Sequence, residues 1–429
     1  MPVSRDPLIH TRNEPPAAIR PPQRGDPGQV RPASLELRPE VLEGMDWPGW
    51  VRAAEPIPLF TPPMAERDDD GTPLADLNQG GLRQTAISRR DGRVHFHFDP
   101  WAALEHVTAE RHLPPFRSWA TRLPAAVFRL PGPLRLAGHR LLAGSTRDAG
   151  DDDLLDDSLE RLRAVVKGLL GIDDPPPWPG GNPPVVLTHD VDTAEGLRAA
   201  PRVAREEERL GLRACFYVVG DRYPLDHALL DDLRAAGHEI GLHGARHDFR
   251  LAYLSPRRIN RRLDRCRDLV ERHGVVGFRS PALLMSDSLA AELARRFEYD
   301  SSVPDTDVQS LAGPRRGCAS VFPFPRGDLL TLPPTLPLDD RLLLLGRSPS
   351  ASYDAWAHKL AWIRRVGGMG VVTTHTEPHL VGGDALLAAY RHLLEHVVGD
   401  GMQTMLPRQL ARWWRDGDVE EADGPRGED

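Results

Sequence analysis

Lysine is almost absent from this chain. Only Lys167 and Lys359 occur, although arginine brings the basic total to 54 against 62 acidic residues. The resulting formal charge of −8 leaves none of the basic surplus that marks nucleic-acid binding, so no nucleic-acid partner is expected. The arginine skew reads as a GC-rich coding sequence rather than an arginine-specific task. Cysteine is scarce as well. Cys215, Cys266 and Cys318 are odd in number, widely spaced and free of any Cys-x-x-Cys, which excludes a zinc ribbon and a disulfide framework. A reducing compartment fits that usage. Long apolar runs are also missing. No stretch approaches the roughly 20 residues that span a bilayer, and the opening Met1-Pro-Val-Ser-Arg5 leads into no apolar core of a secretory signal. The expectation is a cytoplasmic protein with no membrane segment. Its oligomeric state is not legible.

What the chain does have is length. Its 429 residues are 40 % apolar and 27 % charged, ordinary for a globular protein and sufficient for one large α/β domain with additions. Residues 1–40 are rich in proline, arginine and glycine and are expected to be a disordered leader. Residues 41–155 carry apolar patches of weak periodicity and are expected to form an accessory domain with no assigned role. Their clearest element is Arg93-Val-His-Phe-His-Phe98, which alternates like a half-buried strand. His95 and His97 then share a face, and alternation explains them without a metal. The acidic run from Asp151 to Asp157 lacks the glycine and terminal glutamate of a calcium loop. It precedes an amphipathic helix carrying Leu159, Leu162, Val166 and Leu169 on one side, and acids favour helix N-termini. Residues 156–184 thus read as a helix and a stiff proline-rich linker.

From Val185 the pattern changes. Apolar runs at 185–188, 214–219, 239–242, 275–278, 329–332, 369–374 and 402–406, with a further strand at Tyr299, alternate with amphipathic segments near 195–210, 226–236, 255–273, 287–296, 353–366, 384–398 and 407–415. Ser255-Pro256 reads as a helix start, and Ser286 as a cap for the helix beyond it. Alternating βα units imply a parallel sheet with outer helices. About seven such units over residues 185–415 predict a (β/α)7-type barrel. Residues 416–429 read as a disordered acidic tail.

Three polar clusters follow predicted strands, at the end where such barrels build their sites. The first is Thr188-His-Asp-Val-Asp192, with two carboxylates two residues apart. The second is His243-Gly-Ala-Arg-His247, whose histidines converge on a helix face or in a glycine-bearing turn. His238-Glu239 just before it does not make a zincin signature, because the next histidine is five residues on, and His238 reads as structural. The third is Thr374-His375, with Glu377 and His379 as alternatives further along the loop. Gly277-Phe-Arg-Ser-Pro281 adds a strand that ends in an arginine. Catalytic zinc sites use three protein ligands and keep one position open, a need that one aspartate and two histidines meet. Metal binding lowers the pKa of water to about 7. A second carboxylate can take the water's proton, a separate histidine can protonate a leaving amine, and an arginine beside the base keeps it ionised.

These strings, in this order, resemble the polysaccharide deacetylases of the NodB-homology group, carbohydrate esterase family four. Tyr299-Asp-Ser-Ser302 is similar as well. The likeness runs from about Val185 to Leu406, and the family's fold is a distorted barrel of about seven βα units. The resemblance implies Asp190 as general base, Asp192, His243 and His247 as ligands of one divalent metal, Zn2+ before Co2+ or another ion, Arg279 as the partner of Asp190, and His375 as general acid. It also implies an oxyanion donor near Ser301 or Ser302. The chain departs from the family pattern where Val191 separates the two aspartates, and where Val303-Pro-Asp-Thr-Asp307 stands in place of a tryptophan-bearing motif. The implied activity is removal of N-acetyl, or O-acetyl, groups from a sugar or glycan precursor. Two alternatives stay open: hydrolysis of a cyclic amide, imide or ureide, and a sugar-binding barrel without turnover. The expected partner is a carbohydrate or small-molecule amide.

Overall fold

In the computed structural model, residues 31–45, 47–61, 71–110, 154–171, 178–307 and 317–416 are described. The proposed leader before residue 31, the run Asp151-Asp-Asp153, much of the linker and the tail after Asp416 lie outside them. Two sheets organise the rest. The first is antiparallel and built from β1 (Arg31–Leu37), β2 (Ile57–Thr61), β3 (Thr72–Gln79), β4 (Leu82–Arg90) and β5 (Arg93–Phe96) in the order β2-β1-β3-β4-β5. Arg31–Leu37 is therefore strand rather than leader. Alternate residues Leu35 and Leu37 are buried there, which ties the strand to the core beneath the sheet. His97 meets Ser88 Oγ at 2.9 Å. The short helices α1 (Pro39–Glu43) and α2 (Pro100–Thr108) flank this sheet.

Helix α3 (Ser158–Leu170) joins the two sheets. Its apolar stripe, Leu159, Leu162, Val165, Val166 and Leu169, packs into the core of the first sheet. Its polar side reaches the second, where Glu160 accepts the Val321 N–H at 3.2 Å and Arg163 donates to Ser320 Oγ at 3.1 Å. Gly171, at φ 63°, ends the helix in the left-handed conformation.

The second sheet is the distorted α/β barrel. Its strands are β6 (Val185–Val191), β7 (Ala214–Val218), β8 (Glu239–Leu242), β9 (Gly277–Phe278), β10 (Tyr299–Asp300), β11 (Phe324–Arg326), β12 (Leu329–Thr331) and β13 (Gly370–His375). They run in the order β11-β12-β10-β9-β8-β7-β6-β13. Every pairing is parallel except the β11–β12 hairpin. Between β12 and β13 the ring closes without a ladder: the N–H groups of Thr335 and Leu336 both donate to Val371 O, at 3.2 and 3.0 Å. All residues of β6, β7, β8 and β13 are buried, as strands covered on both faces must be.

The outer helices are α4 (Ala194–Glu208), α5 (His227–Ala235), α6 (Pro256–Leu263), α7 (Arg267–His273), α8 (Asp287–Leu293), α9 (Asp339–Leu344), α10 (Pro349–Val366), α11 (Asp384–Gly399) and α12 (Pro407–Asp416). The single helix expected over 255–273 is two, because a tighter 3-10 turn at Asp264–Cys266 interrupts it and turns Cys266 inward. Ser286 caps α8 by accepting the Leu289 N–H at 3.2 Å. Ser255 makes no side-chain cap bond, and Pro256 alone opens α6. The strand expected over 402–406 reduces to one bridge between Thr404 and Val185, since α12 begins directly afterwards. No helix among the described residues is long and apolar enough to cross a membrane.

Candidate active site and metal centre

Alternation along β6 sorts its polar residues. Thr188 and Asp190 face the barrel interior, while His189 faces outward between α4 and α11. There His189 is 2.7 Å from Thr374 Oγ1 and 2.6 Å from Glu207 Oε1, and Tyr390 donates to the same Glu207 oxygen at 2.6 Å. His189 therefore joins two strands and two helices from behind and does not enter the site. His238 is structural in the same way, accepting the Ala214 N–H at 3.1 Å.

Asp190, Asp192, His243, His247 and His375 line one cavity of about 70 Å³ at the C-terminal ends of the strands. Its apolar wall comes largely from α9 and the residue before it, with Leu338, Leu343 and Leu344, and from Phe249 and Leu283. His247, Phe249, Ala282 and Leu283 all have φ between 42° and 57°, so left-handed backbone concentrates around this cavity. Such conformations are costly for residues with a Cβ and persist where surrounding structure fixes them.

Asp192 Oδ1 lies 3.2 Å from His243 Nε2 and 3.0 Å from His247 Nε2. One ligand atom from each of the three residues falls within 4.8 Å of the others. His243 Nδ1 is 3.1 Å from the Arg279 carbonyl. A carbonyl only accepts, so Nδ1 carries a proton, and Nε2 is the ring atom turned towards the carboxylate. Burial pushes His247 down despite the pull of Asp192, which favours its neutral, ligating form. Burial opposes the charge on Asp192, but the His247 and His243 imidazoles hold its carboxyl well below the usual range. Two imidazole Nε2 atoms turned to a carboxylate whose Oδ1 is buried and without a hydrogen bond form a donor set that fits a divalent cation.

Arg279 is wholly buried and fully engaged. It donates to Asp190 Oδ1, Thr188 Oγ1, Ser301 O and Ser301 Oγ, each at 2.9 Å, and its guanidinium lies 4.2 Å from the centre of the Tyr217 ring. Burial opposes the charge on Asp190, yet His243, Arg279 and His375 together hold it below the usual carboxylate range. Asp190 Oδ2 stays on the cavity side, 3.7 Å from His243 Nε2.

His375, at the end of β13, bonds through Nδ1 to Asp339 Oδ1 at 2.6 Å. Asp339 Oδ2 accepts the backbone N–H groups of His375 and Val381 at 3.0 and 3.3 Å. Burial disfavours the imidazolium, but Asp339, with Asp340 and Asp192, raises His375 well above its ordinary value. Asp339, Asp340 and His375 are also close enough to form a ligand group; the Asp339 oxygens, however, are spent on these hydrogen bonds. Asp339 carries no sequence signal for this role, since it lies 36 residues before His375. Glu377 is not an alternative to His375. Its Oε1 accepts the backbone N–H groups of Asp192 and Thr193. The expected oxyanion donors are occupied: Ser301 N–H donates to Phe278 O at 2.9 Å, and Ser302 N–H to Asp300 Oδ2 at 3.1 Å.

Residues 179–301 match the family model described as polysaccharide deacetylase. Among solved structures, the chain is similar to a polysaccharide-deacetylase-like protein of Mycobacterium smegmatis, at 25 % identity over 58 % of this chain and 96 % of that one, with a TM-score of 0.47. A family 4 carbohydrate esterase of Streptomyces lividans, in complex with acetate, is 16 % identical over 52 % and 92 %, with a TM-score of 0.36. A peptidoglycan deacetylase of Bacillus subtilis is 14 % identical over 54 % and 92 %, with a TM-score of 0.38. No curated protein matches.

Proposed function

We propose, for a chain whose residues 179–301 match the polysaccharide deacetylase family model, that its barrel is a metal-dependent hydrolase removing N-acetyl groups from a sugar or glycan precursor. One observation carries this reading: the Asp192, His243 and His247 group opens onto the same buried cavity as the Asp190–Arg279 and His375–Asp339 pairs. Catalysis is assigned to residues 185–415, with residues 41–155 accessory. Three free buried cysteines fit a reducing, cytoplasmic setting.

Asp192, His243 and His247 would hold one divalent ion, Zn2+ by the chemistry of two imidazoles and a carboxylate. When bound, such an ion acidifies water and polarises a carbonyl. The remaining work falls to the protein. Asp190 receives the attacking water's proton at Oδ2, because Oδ1 is held by Arg279. Arg279 keeps that carboxylate ionised and fixes its plane. As the C–N bond of the tetrahedral adduct breaks, His375 donates its Nε2 proton to the departing nitrogen, with Nδ1 anchored on Asp339. The products are acetate and a free amine. The apolar wall shields the reacting carbonyl from bulk water, which strengthens each of these charge interactions.

A second reading keeps the machinery and changes the substrate to a small cyclic amide or ureide. The same lining groups serve either amide carbonyl. Acetate release from N-acetylated sugars, run beside ammonia or ring-opening assays on cyclic amides, separates the two. The Asp190→Asn variant is expected to keep wild-type metal content and lose about 10²–10⁴-fold in kcat. Turnover equal to wild type would remove Asp190 from the base role.

A further inference from the structure

The loop after β13 bends back over the first site-bearing loop, and Glu377 makes the join. Its side chain is buried, at 2 % exposure. A single oxygen, Oε1, accepts the Asp192 N–H at 2.9 Å, the Thr193 N–H at 3.1 Å and the Thr193 hydroxyl at 3.2 Å. The cradle is built around this carboxylate. A Cβ on Gly196 would lie only 2.4 Å from Glu377 Oε1, so the first turn of α4 admits the group only because residue 196 is glycine. Thr193 in turn caps α4 by accepting the Gly196 N–H at 3.0 Å. A carboxylate at the start of that 15-residue helix also meets the positive end of its dipole.

The consequence concerns Asp192. Its side chain is one member of the ligand group, and its own peptide N–H is fixed by Glu377. The same peptide group is held at its carbonyl end, where Tyr223 donates to Val191 O at 2.8 Å. The loop carrying Glu377 is anchored through the Asp190 backbone, with the Thr376 N–H donating to Asp190 O at 3.2 Å, and through the Leu380 N–H to Glu377 O at 2.8 Å. Glu377 does not belong to the ligand group of Asp192, His243 and His247. We infer that Glu377 is a positioning residue for the metal centre: by clamping the Asp192–Thr193 backbone it aims the Asp192 carboxylate at the two imidazoles and sets the affinity for the ion. The inference rests on the reading of Asp192, His243 and His247 as ligands. It makes Glu377 an outer partner of the kind whose loss weakens metal binding by about 10–100-fold.

The test is zinc affinity of the full chain, measured by competition with a chromophoric chelator and independently of turnover. Glu377→Ala is expected to raise the zinc Kd by about 10–100-fold. Glu377→Gln, which keeps an acceptor oxygen on the Asp192 N–H, is expected to restore it to within a few-fold. Glu377→Asp keeps the charge but withdraws the oxygen by one methylene, and serves in place of the alanine variant if that one does not fold; it is expected to show the same loss. Melting of the metal-free proteins is recorded alongside, because a merely structural role would lower the melting temperature and leave the Kd of folded protein unchanged. Wild-type zinc affinity in the Ala and Asp variants, with Asp192→Ala losing zinc, would overturn the inference and leave the ligand reading intact. Wild-type protein that binds zinc no better than Asp192→Ala would overturn both.

Discussion

At the scale of single residues, the site depends on pairs in which one partner sets the charge or direction of the other. The pairing of His375 with Asp339 gives the sharpest expectation. Burial disfavours the imidazolium, but Asp339 and its acidic neighbours raise His375 well above its ordinary value. A general acid must be protonated to act, so the raised value extends activity towards higher pH. Asp339→Asn removes the main raising charge. The alkaline limb of the kcat–pH profile should therefore move to lower pH, with amides slowed more than activated esters, whose leaving groups need no proton. An unmoved limb would mean that His375 is not the acid. The members of these pairs were unequally legible in the sequence. Asp190, Asp192, His243, His247, Arg279 and His375 stand at or just after apolar strands, where a barrel gathers its chemistry. Asp339 and Glu377 act on a side chain and on a backbone brought near by folding, and neither spacing nor composition announces such a contact.

Among the secondary-structure elements, the barrel interior explains why one strand position is glycine. Tyr217, Tyr299 and Glu239 fill the lower barrel, with Tyr299 donating to Glu239 at 2.7 Å and Tyr217 stacking beneath Arg279. Space for Tyr299 exists because β9 begins with Gly277, where a Cβ would fall 2.1 Å from the tyrosine hydroxyl. Gly277→Ala is expected to cost about 1–3 kcal/mol by overpacking, measured as a lowered urea midpoint. A change within a few tenths of a kcal/mol would show that the strand shifts freely. The long strands β6 and β13 and the helices around them follow the hydrophobic periods of the sequence. The two-residue strands β9 and β10 are too short to carry a period of their own, and the six-residue α9, absent from the pattern reading, supplies much of the cavity wall. In the first sheet, alternation is muted by charged residues within β3 and β4, so only β5 stands out from sequence.

Across the whole molecule, a buried ion pair joins the loop after β10 to α10. Lys359 Nζ lies 2.9 and 2.7 Å from the two oxygens of Asp305, and both side chains are almost fully enclosed. Removing one partner strands the other, so Lys359→Met is expected to cost about 3–5 kcal/mol, and Lys359→Met with Asp305→Leu considerably less. Denaturant melts of the single and double variants check this. Burial pushes Asp305 up to about 7 against the pull of Lys359. A carboxyl raised above its unfolded value of 3.8 favours the folded state at low pH, and that contribution is lost as pH rises from about 4 to about 7. Stability measured between those limits should therefore carry a downward component that Asp305→Leu in the Lys359→Met background removes.

The central claim is that the barrel holds one catalytic divalent ion on Asp192, His243 and His247. Its most direct test is metal content of purified wild type, Asp192→Ala and His243→Ala by elemental analysis after zinc loading and desalting. The account predicts about one ion per chain in wild type, by the three-ligand chemistry of catalytic zinc, and loss of that ion in both variants with the fold retained. Wild type without bound metal, or variants that keep it, would contradict the account.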